Sequence, residues 1–156
     1  MPPAEAPREG GGPTVRLSFP PEAQLLGTVR LVVGMVARKA GVDEEGIEDL
    51  KVAVSETCAV AVTDLAWAGL DAPIELDVIL EPDRFGVEVR DHAPVDQLAA
   101  MAGAVDDGEL DDRQFGLALV GALVDDIASE TLEDGGGHRT RFWVRHRADK
   151  SPPPSR

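Results

Sequence analysis

A single acidic side chain interrupts an apolar run near the middle of the chain. Glu56 lies in DLKVAVSETCAVAV, residues 49–62, which has the amphipathic pattern of a helix. Asp91 follows a run with strand alternation, and Gly116 lies near the start of an apolar helical segment, whose free amide groups could bind an anion. Isolated acids on helices are usually solvated, and aspartate is common in turns. These residues therefore do not establish a site by themselves.

Other kinds of site are not indicated by the sequence. Cys58 is the only cysteine, which excludes an internal disulfide, and we expect it to pack as a small apolar residue. The histidines His92, His138 and His146 have no metal-ligand spacing with Cys58, so we expect no zinc site. No arrangement of serine, histidine and aspartate suggests a nucleophilic enzyme.

Composition limits what the chain can bind. Its 156 residues, 43% of them hydrophobic, suffice for one domain with a core. A formal net charge of −14 opposes binding to nucleic acid or to an anionic membrane, and it favours a partner with a basic surface. The longest apolar run, LVVGMVA at residues 31–37, is far too short for a membrane span, and no signal sequence is recognisable. We expect a soluble, cytoplasmic protein.

Proline and glycine concentrate at both ends of the chain. This composition predicts disordered tails at residues 1–13 and 148–156, around a single domain at residues 14–147. Within the domain, residues 92–114 are polar and acidic, and we expect them to form a mobile loop.

The hydrophobic period changes in an orderly way along this domain. Alternation predicts a first strand at residues 15–19, and apolar stripes predict helices at residues 22–40 and from Asp43 onward. A hairpin with the turn EPDR follows, then a helix at residues 115–127 and two last strands, ASETLE and HRTRFWVRH. Helices clustered between antiparallel strands predict an α/β (α+β) two-layer sandwich, with a mixed, mostly antiparallel sheet and the helices on one face.

The last strand carries the one basic run of the chain. Its alternation places Phe142 and Val144 toward the core, and Trp143 with the arginines on the outer face. Acidic residues of the neighbouring strands point to the same face. Cross-strand ion pairing is the first interpretation, a docking patch anchored by Trp143 and the arginines is the second, and a nucleic-acid site is the third.

The order of elements and several motifs resemble the anti-sigma factor and serine-protein kinase family of bacterial stress and sporulation regulators. FPPEAQLLGTVRLVV is similar to the family's first strand and helix, and DLKVAVSETC to its acid-bearing helix. VEVRD is similar to the strand whose Asp contacts adenine, and FGLALVGALVDDI with GGGHRTRFWV to the second glycine box and closing hairpin. The family belongs to the histidine-kinase-like ATPase (GHKL) superfamily. The resemblance, which covers nearly the whole domain, implies the Bergerat fold.

The resemblance also implies roles for individual residues. Glu56 takes the place of the general base, Asp91 that of the adenine contact, and Gly116 that of a glycine in the second nucleotide box. Arg30 takes the place of an arginine that the family presents to its partners. Val60 stands where the family has a magnesium-ligand Asn, four residues after the acid, so the resemblance implies no metal ligand there.

Two further departures from the family concern the nucleotide. HAP follows Asp91 in place of glycines, and Gln114 stands where the second box has its first glycine. Residues 103–114, in the place of the nucleotide lid, carry five acids. With three supports of the triphosphate weakened, we expect Glu56 to be a vestigial general base, ATP with magnesium to bind weakly at most, and no cofactor to be required.

We therefore expect a regulatory binding protein rather than an enzyme. The resemblance implies an anti-sigma factor that sequesters an alternative sigma factor and is antagonised by an anti-anti-sigma factor, a mechanism called partner switching. The alternative is an active ATP-dependent serine kinase that phosphorylates the anti-anti-sigma factor. A further alternative is a degenerate docking module for another signalling protein. The resemblance also implies a homodimer, and we expect no direct binding to nucleic acid or membrane.

Overall fold

The computed structural model describes residues 14–94 and 112–145, without the side chains of residues 112–114 and 134. The predicted tails, most of the predicted acidic loop and the side chain of Gln114 lie outside the described residues. The described ranges contain the other residues to which the sequence assigned a role.

Five strands form one sheet in the order β1-β2-β3-β5-β4. Every neighbouring pair in the described ranges is antiparallel, which agrees with the predicted architecture. The β2–β3 hairpin closes at the predicted EPDR turn, where the Glu81 N–H donates to the Arg84 carbonyl at 3.0 Å. The strands are β1 (Thr14–Phe19), β2 (Ile74–Leu80), β3 (Arg84–Asp91), β4 (Asp126–Thr131) and β5 (His138–Arg145).

Three helices pack together, and the middle one is the longest. Asp43 caps it as predicted, because its side chain accepts a hydrogen bond from the Gly46 N–H at 2.8 Å. Gly69 ends it with a φ of 66°. In the described part of the chain, none of the helices combines the length and hydrophobicity that crossing a bilayer requires. The helices are α1 (Leu26–Lys39), α2 (Glu44–Ala68) and α3 (Asp112–Leu123).

Three helix boundaries differ from the predictions. The third helix begins at Asp112, so residues 112–114 are helical although they are predicted to belong to the acidic loop. The first α-helix begins later than predicted, because a 3₁₀ turn at Ala23–Leu25 precedes it. The third ends at Leu123, and Ile127, which was predicted to be helical, lies in β4. Here the Asp125 N–H donates to the Trp143 carbonyl at 2.9 Å. Pairing with β5 therefore overrides the apolar spacing that favours a longer helix.

The core lies between the helices and one face of the sheet. Ile47 and Leu50 of α2 and Phe85 and Phe142 of the sheet are fully buried there. Each such side chain stabilises the fold by about 2 kcal/mol. Cys58 belongs to the same core, and burial raises the pKa of its thiol to about 12. Its expected role as a small apolar residue is confirmed.

The opposite face of the sheet carries a group of cross-strand ion pairs, here called the outer-face ion cluster. Arg90 donates to Glu88 at 2.7 Å and to Asp77 at 3.0 Å. Arg16 donates to Asp77 at 2.8 Å, and Arg141 to Glu88 at 2.9 Å. Asp77, Glu88 and Arg90 are buried by these contacts. The ion-pairing interpretation of the basic strand is thus confirmed.

Trp143 lies on the same outer face but is not available as an anchor for a partner. Its ring covers Gly86, where a Cβ atom would overlap the ring carbons. The Arg84 guanidinium lies 3.8 Å from the ring centroid, in cation–π geometry. The side chain is only 8% exposed. The docking-patch interpretation therefore loses its aromatic residue.

The stabilisation that Asp77 contributes to the outer-face ion cluster depends on pH. Burial alone would raise the pKa of Asp77, but hydrogen bonds from Arg16 and Arg90 outweigh it and lower the pKa below its usual value. A carboxyl whose pKa is lowered by folding stabilises the fold above its unfolded pKa of about 3.9. This contribution is lost as the pH falls through the lower folded pKa.

We predict that Asp77→Asn lowers the free energy of unfolding at pH 7 by roughly 2 kcal/mol, because Arg16 and Arg90 lose a charged partner. The variant should also lose less stability than the unmodified protein below about pH 4. Urea unfolding at pH 7, 5 and 3 measures both effects. The control, Glu44→Gln, breaks the exposed Arg38–Glu44 pair and should change little. Equal losses in the two variants would contradict the prediction.

Candidate functional site

Three of the predicted site residues meet where α2 packs against α3. Gly116 is buried, and a Cβ atom built on it would lie 3.3 Å from Glu56 Oε2 and 3.5 Å from Val60 Cγ2. Glu56 and Val60 are half-buried and lie one helical turn apart on α2. The N-terminal half of α3 therefore lies directly beside the acid.

This arrangement does not fit a magnesium-bound triphosphate. Mg²⁺ takes oxygen ligands in near-octahedral geometry, whereas Val60 presents methyl groups one turn from Glu56. Glu56 still offers a carboxylate. A general base contributes to phosphoryl transfer only when metal ions and backbone amides also position the phosphoryl group. No phosphoryl-transfer step can be derived from these residues.

Asp91 lies in a different place, at the end of β3. Its Oδ1 atom accepts a hydrogen bond from the Ala93 N–H at 3.0 Å and lies 3.4 Å from His138 Nδ1. Asp64 of α2 approaches the same point, and one ligand atom from each of the three side chains lies within 4.8 Å of the others. We call this group the Asp64–Asp91–His138 cluster. Asp64 follows Glu56 by about 12 Å along α2, at about 1.5 Å per residue.

Two members of this cluster, Asp64 and His138, are not among the residues predicted to form a site. His138 has no ligand spacing with Cys58, and Asp64 belongs to none of the predicted nucleotide boxes. The cluster forms because β5 pairs with β3, which places His138 opposite Asp91. One signal was present in the sequence: Asp64 stands eight residues after Glu56, on the helix that carries the family's acid.

Gly137 allows this close approach of β5 to the end of β3. Its φ is 150°, a conformation that side chains other than glycine rarely adopt. A Cβ atom at Gly137 would overlap the Asp91 carbonyl oxygen. The backbone at the start of β5 thus lies against the backbone that carries Asp91, which fixes the position of His138.

Arg30 lies on α1 and is exposed. Within residues 14–94 and 112–145, no carboxylate forms an ion pair with it. Leu31 and Met35 on the same helix are 60% and 56% exposed. The helix therefore presents a cation beside two large apolar side chains to solvent.

Comparison with known proteins identifies the family. The model of the histidine kinase-like ATPase domain matches residues 19–143. The chain belongs to this family. Within the histidine kinase-like ATPase family it is similar to the serine-protein kinase RsbW of Listeria monocytogenes, with 32% identity over 121 residues that cover 73% of this chain and 76% of the relative. RsbW of Halalkalibacterium halodurans is 29% identical over 145 residues, covering 87% of each chain. The family resemblance of the sequence is confirmed.

Two solved structures share the histidine kinase-like ATPase fold of this chain. The RsbU and RsbW domains of Rv1364c from Mycobacterium tuberculosis give a TM-score of 0.63 at 21% identity, over 86% of this chain and 32% of that one. The SiaB-SiaC complex from Pseudomonas aeruginosa gives a TM-score of 0.65 at 10% identity, over 83% of this chain and 88% of that one. At these identities the likeness establishes the fold, and it confirms the predicted fold class.

We predict that Gly137→Ala lowers the free energy of unfolding by roughly 2 kcal/mol or more, because alanine disfavours this φ and its Cβ overlaps the Asp91 carbonyl. Gly136 provides the control, since its φ is −87° and a Cβ atom there meets nothing within 4 Å. Gly136→Ala should change stability by less than about 0.5 kcal/mol. Urea unfolding of both variants is the measurement. Equal stabilities would show that the backbone at Gly137 does not lie against the Asp91 carbonyl.

Proposed function

We propose that the protein is an anti-sigma factor that binds an alternative sigma factor and releases it when an anti-anti-sigma factor competes. One observation carries the proposal: an RsbW-like domain is retained along most of the chain, while Val60 faces Gly116 in place of a metal ligand. A domain that keeps its fold but lacks the metal ligand for phosphoryl transfer can still bind a partner protein.

The charge of the chain supports this kind of partner. A sigma factor must carry basic surface to bind promoter DNA, and a protein with a net charge of −14 complements such a surface. The SiaB-SiaC structure is a complex of two proteins, which supports a protein as the partner of this fold. Partner switching adds a second protein that competes for the bound surface.

The exposed side of α1 is the proposed contact surface. Arg30 would pair with an acidic group of the partner, and a charge-assisted hydrogen bond is strong where water is excluded. Leu31 and Met35, both more than half exposed, would supply the apolar surface that excludes water around it. We also propose that the protein is a homodimer, as the resemblance implies, and that it is located in the cytoplasm, where sigma factors act.

The competing function is an active ATP-dependent serine kinase acting on the anti-anti-sigma factor. The similarity to the serine-protein kinase RsbW and the retained Glu56 favour it. Val60, the HAP sequence after Asp91 and the hydrogen bonding of Asp91 within its own cluster oppose it. We therefore propose that kinase activity is absent and that ATP is not required for binding to the sigma factor.

Calorimetric titration with ATP and magnesium tests the kinase alternative. We predict an affinity no tighter than roughly millimolar, because the metal ligand and the glycines that approach phosphate are replaced. A radiolabel transfer assay with the anti-anti-sigma factor should show no phosphoserine above background. Micromolar affinity together with transfer that Glu56→Ala abolishes would establish the kinase instead.

Affinity purification of the tagged chain with mass spectrometry identifies the partner, and Arg30→Ala then tests the contact surface. The substitution should weaken binding about 30-fold, since an anchoring arginine contributes on the order of 2 kcal/mol. Arg38→Ala is the matched control, because Arg38 is exposed on the same helix but pairs with Glu44 of the chain itself. Unchanged affinity in Arg30→Ala would remove Arg30 from the interface. Recovery of neither a sigma factor nor its antagonist would refute the proposed function.

A further inference from the structure

We propose that the Asp64–Asp91–His138 cluster binds one divalent transition-metal ion, of the class of Zn²⁺. The three side chains come from α2, from the end of β3 and from the start of β5. Asp64 lies about 12 Å from Glu56 along α2, and Val60, which stands in place of the family's magnesium ligand, lies one helical turn before Asp64. This site is independent of the proposed anti-sigma function.

The distances between the ligand atoms suit a small cation. His138 Nδ1 and Asp91 Oδ1 lie 3.4 Å apart, which is longer than the usual 2.9–3.0 Å for an N–H···O hydrogen bond. Two ligands bound tetrahedrally at about 2.1 Å from a metal ion are separated by about 3.4 Å. An atom of Asp64 completes the set, with all three ligand atoms within 4.8 Å of one another. Side-chain movements of about 1 Å would bring all three into the coordination distance.

The charges of the cluster favour a divalent cation over a monovalent one. Asp64 and Asp91 are 5% and 6% exposed, and two carboxylates brought this close in a buried place repel each other. A divalent ion with two carboxylates and a neutral imidazole has no net charge. A neutral assembly is the arrangement that burial penalises least.

The surrounding structure holds the ligands in place. The Ala93 N–H donates to Asp91 Oδ1 at 3.0 Å and so orients that carboxylate. Gly137 fixes the backbone beside Asp91, and therefore the position of His138. Asp64 lies on α2, and the apolar residues of this helix are buried in the core. Because three separate elements supply the ligands, a bound ion would connect them and stabilise the folded state.

The ligand types indicate which ions the site would take. Mg²⁺ and Ca²⁺ favour all-oxygen ligand sets, whereas an imidazole with carboxylates suits Zn²⁺, Co²⁺ and related first-row ions. Three protein ligands leave a coordination position for water or for a group of a bound protein. Cys58 does not compete, since it is fully buried elsewhere in the core.

Metal titration of the unmodified chain after treatment with a chelator tests the proposal. We expect calorimetry with Zn²⁺ to show about one equivalent bound, Co²⁺ to give the intense visible absorption of a tetrahedral site, and Zn²⁺ to raise the melting temperature. His138→Gln and Asp64→Asn should each weaken Zn²⁺ binding by more than about 100-fold, because even outer-shell partners contribute about 10- to 100-fold. Circular dichroism shows whether each variant is folded.

The control variant is His92→Gln. His92 is exposed and adjacent to Asp91 in sequence but is not a member of the cluster. It should bind Zn²⁺ as the unmodified protein does. Binding that is equally strong in His138→Gln, or that Mg²⁺ and Ca²⁺ match, would place the ion on the acidic surface and overturn the proposal. The absence of Zn²⁺ and Co²⁺ binding by the unmodified chain would also overturn it.

Discussion

The burial of one side of α2 against the sheet is the interaction on which the rest of the structure depends. Ile47, Leu50 and Val54 lie almost fully buried along this helix, and α2 contacts both other helices and three strands. Its 25 residues therefore form a rigid support with a rise of about 1.5 Å per residue. Glu56 and Asp64 keep fixed positions along it. One is held beside α3 and the other beside the ends of β3 and β5.

The two faces of the sheet are stabilised by different physical interactions. The face toward the helices is mostly apolar, with Asp91 and His138 at one end, whereas the outer face buries Glu88 completely among arginines from β3 and β5. A buried charge is tolerated only when it is paired, and the net stabilisation from such pairs is small. These ion pairs contribute more to the choice of strand register than to stability. A shift of β5 by one residue would turn Arg139 and Arg141 toward the core. The outer-face ion cluster thus fixes the strand register that brings His138 to Asp91.

Prediction from sequence succeeds here where the determining contacts are local. Asp43 and the apolar stripe after it are sufficient to predict α2, and the turn EPDR between alternating runs is sufficient to predict the β2–β3 hairpin. In the structure Glu56 and Val60, four residues apart on α2, lie beside Gly116. The Asp64–Asp91–His138 cluster depends instead on strand pairing across 47 residues, which no local pattern encodes. The predicted end of α3 is wrong for a related reason. Ile127 continues the helical spacing of apolar residues, and only its pairing in the sheet places it in a strand.

The burial of Cys58 determines how this protein can respond to oxidants. Peroxides and disulfides react with thiolates, and a thiol with a pKa of about 12 is almost entirely protonated at neutral pH. It is also the only cysteine of the chain, and its sulfur lies in the core. The native fold therefore offers no thiol for sulfenic acid formation or for glutathione attachment. Oxidants could therefore not act through Cys58, and the sulfur that they can reach on α1 is the thioether of Met35, which lies on the proposed contact surface.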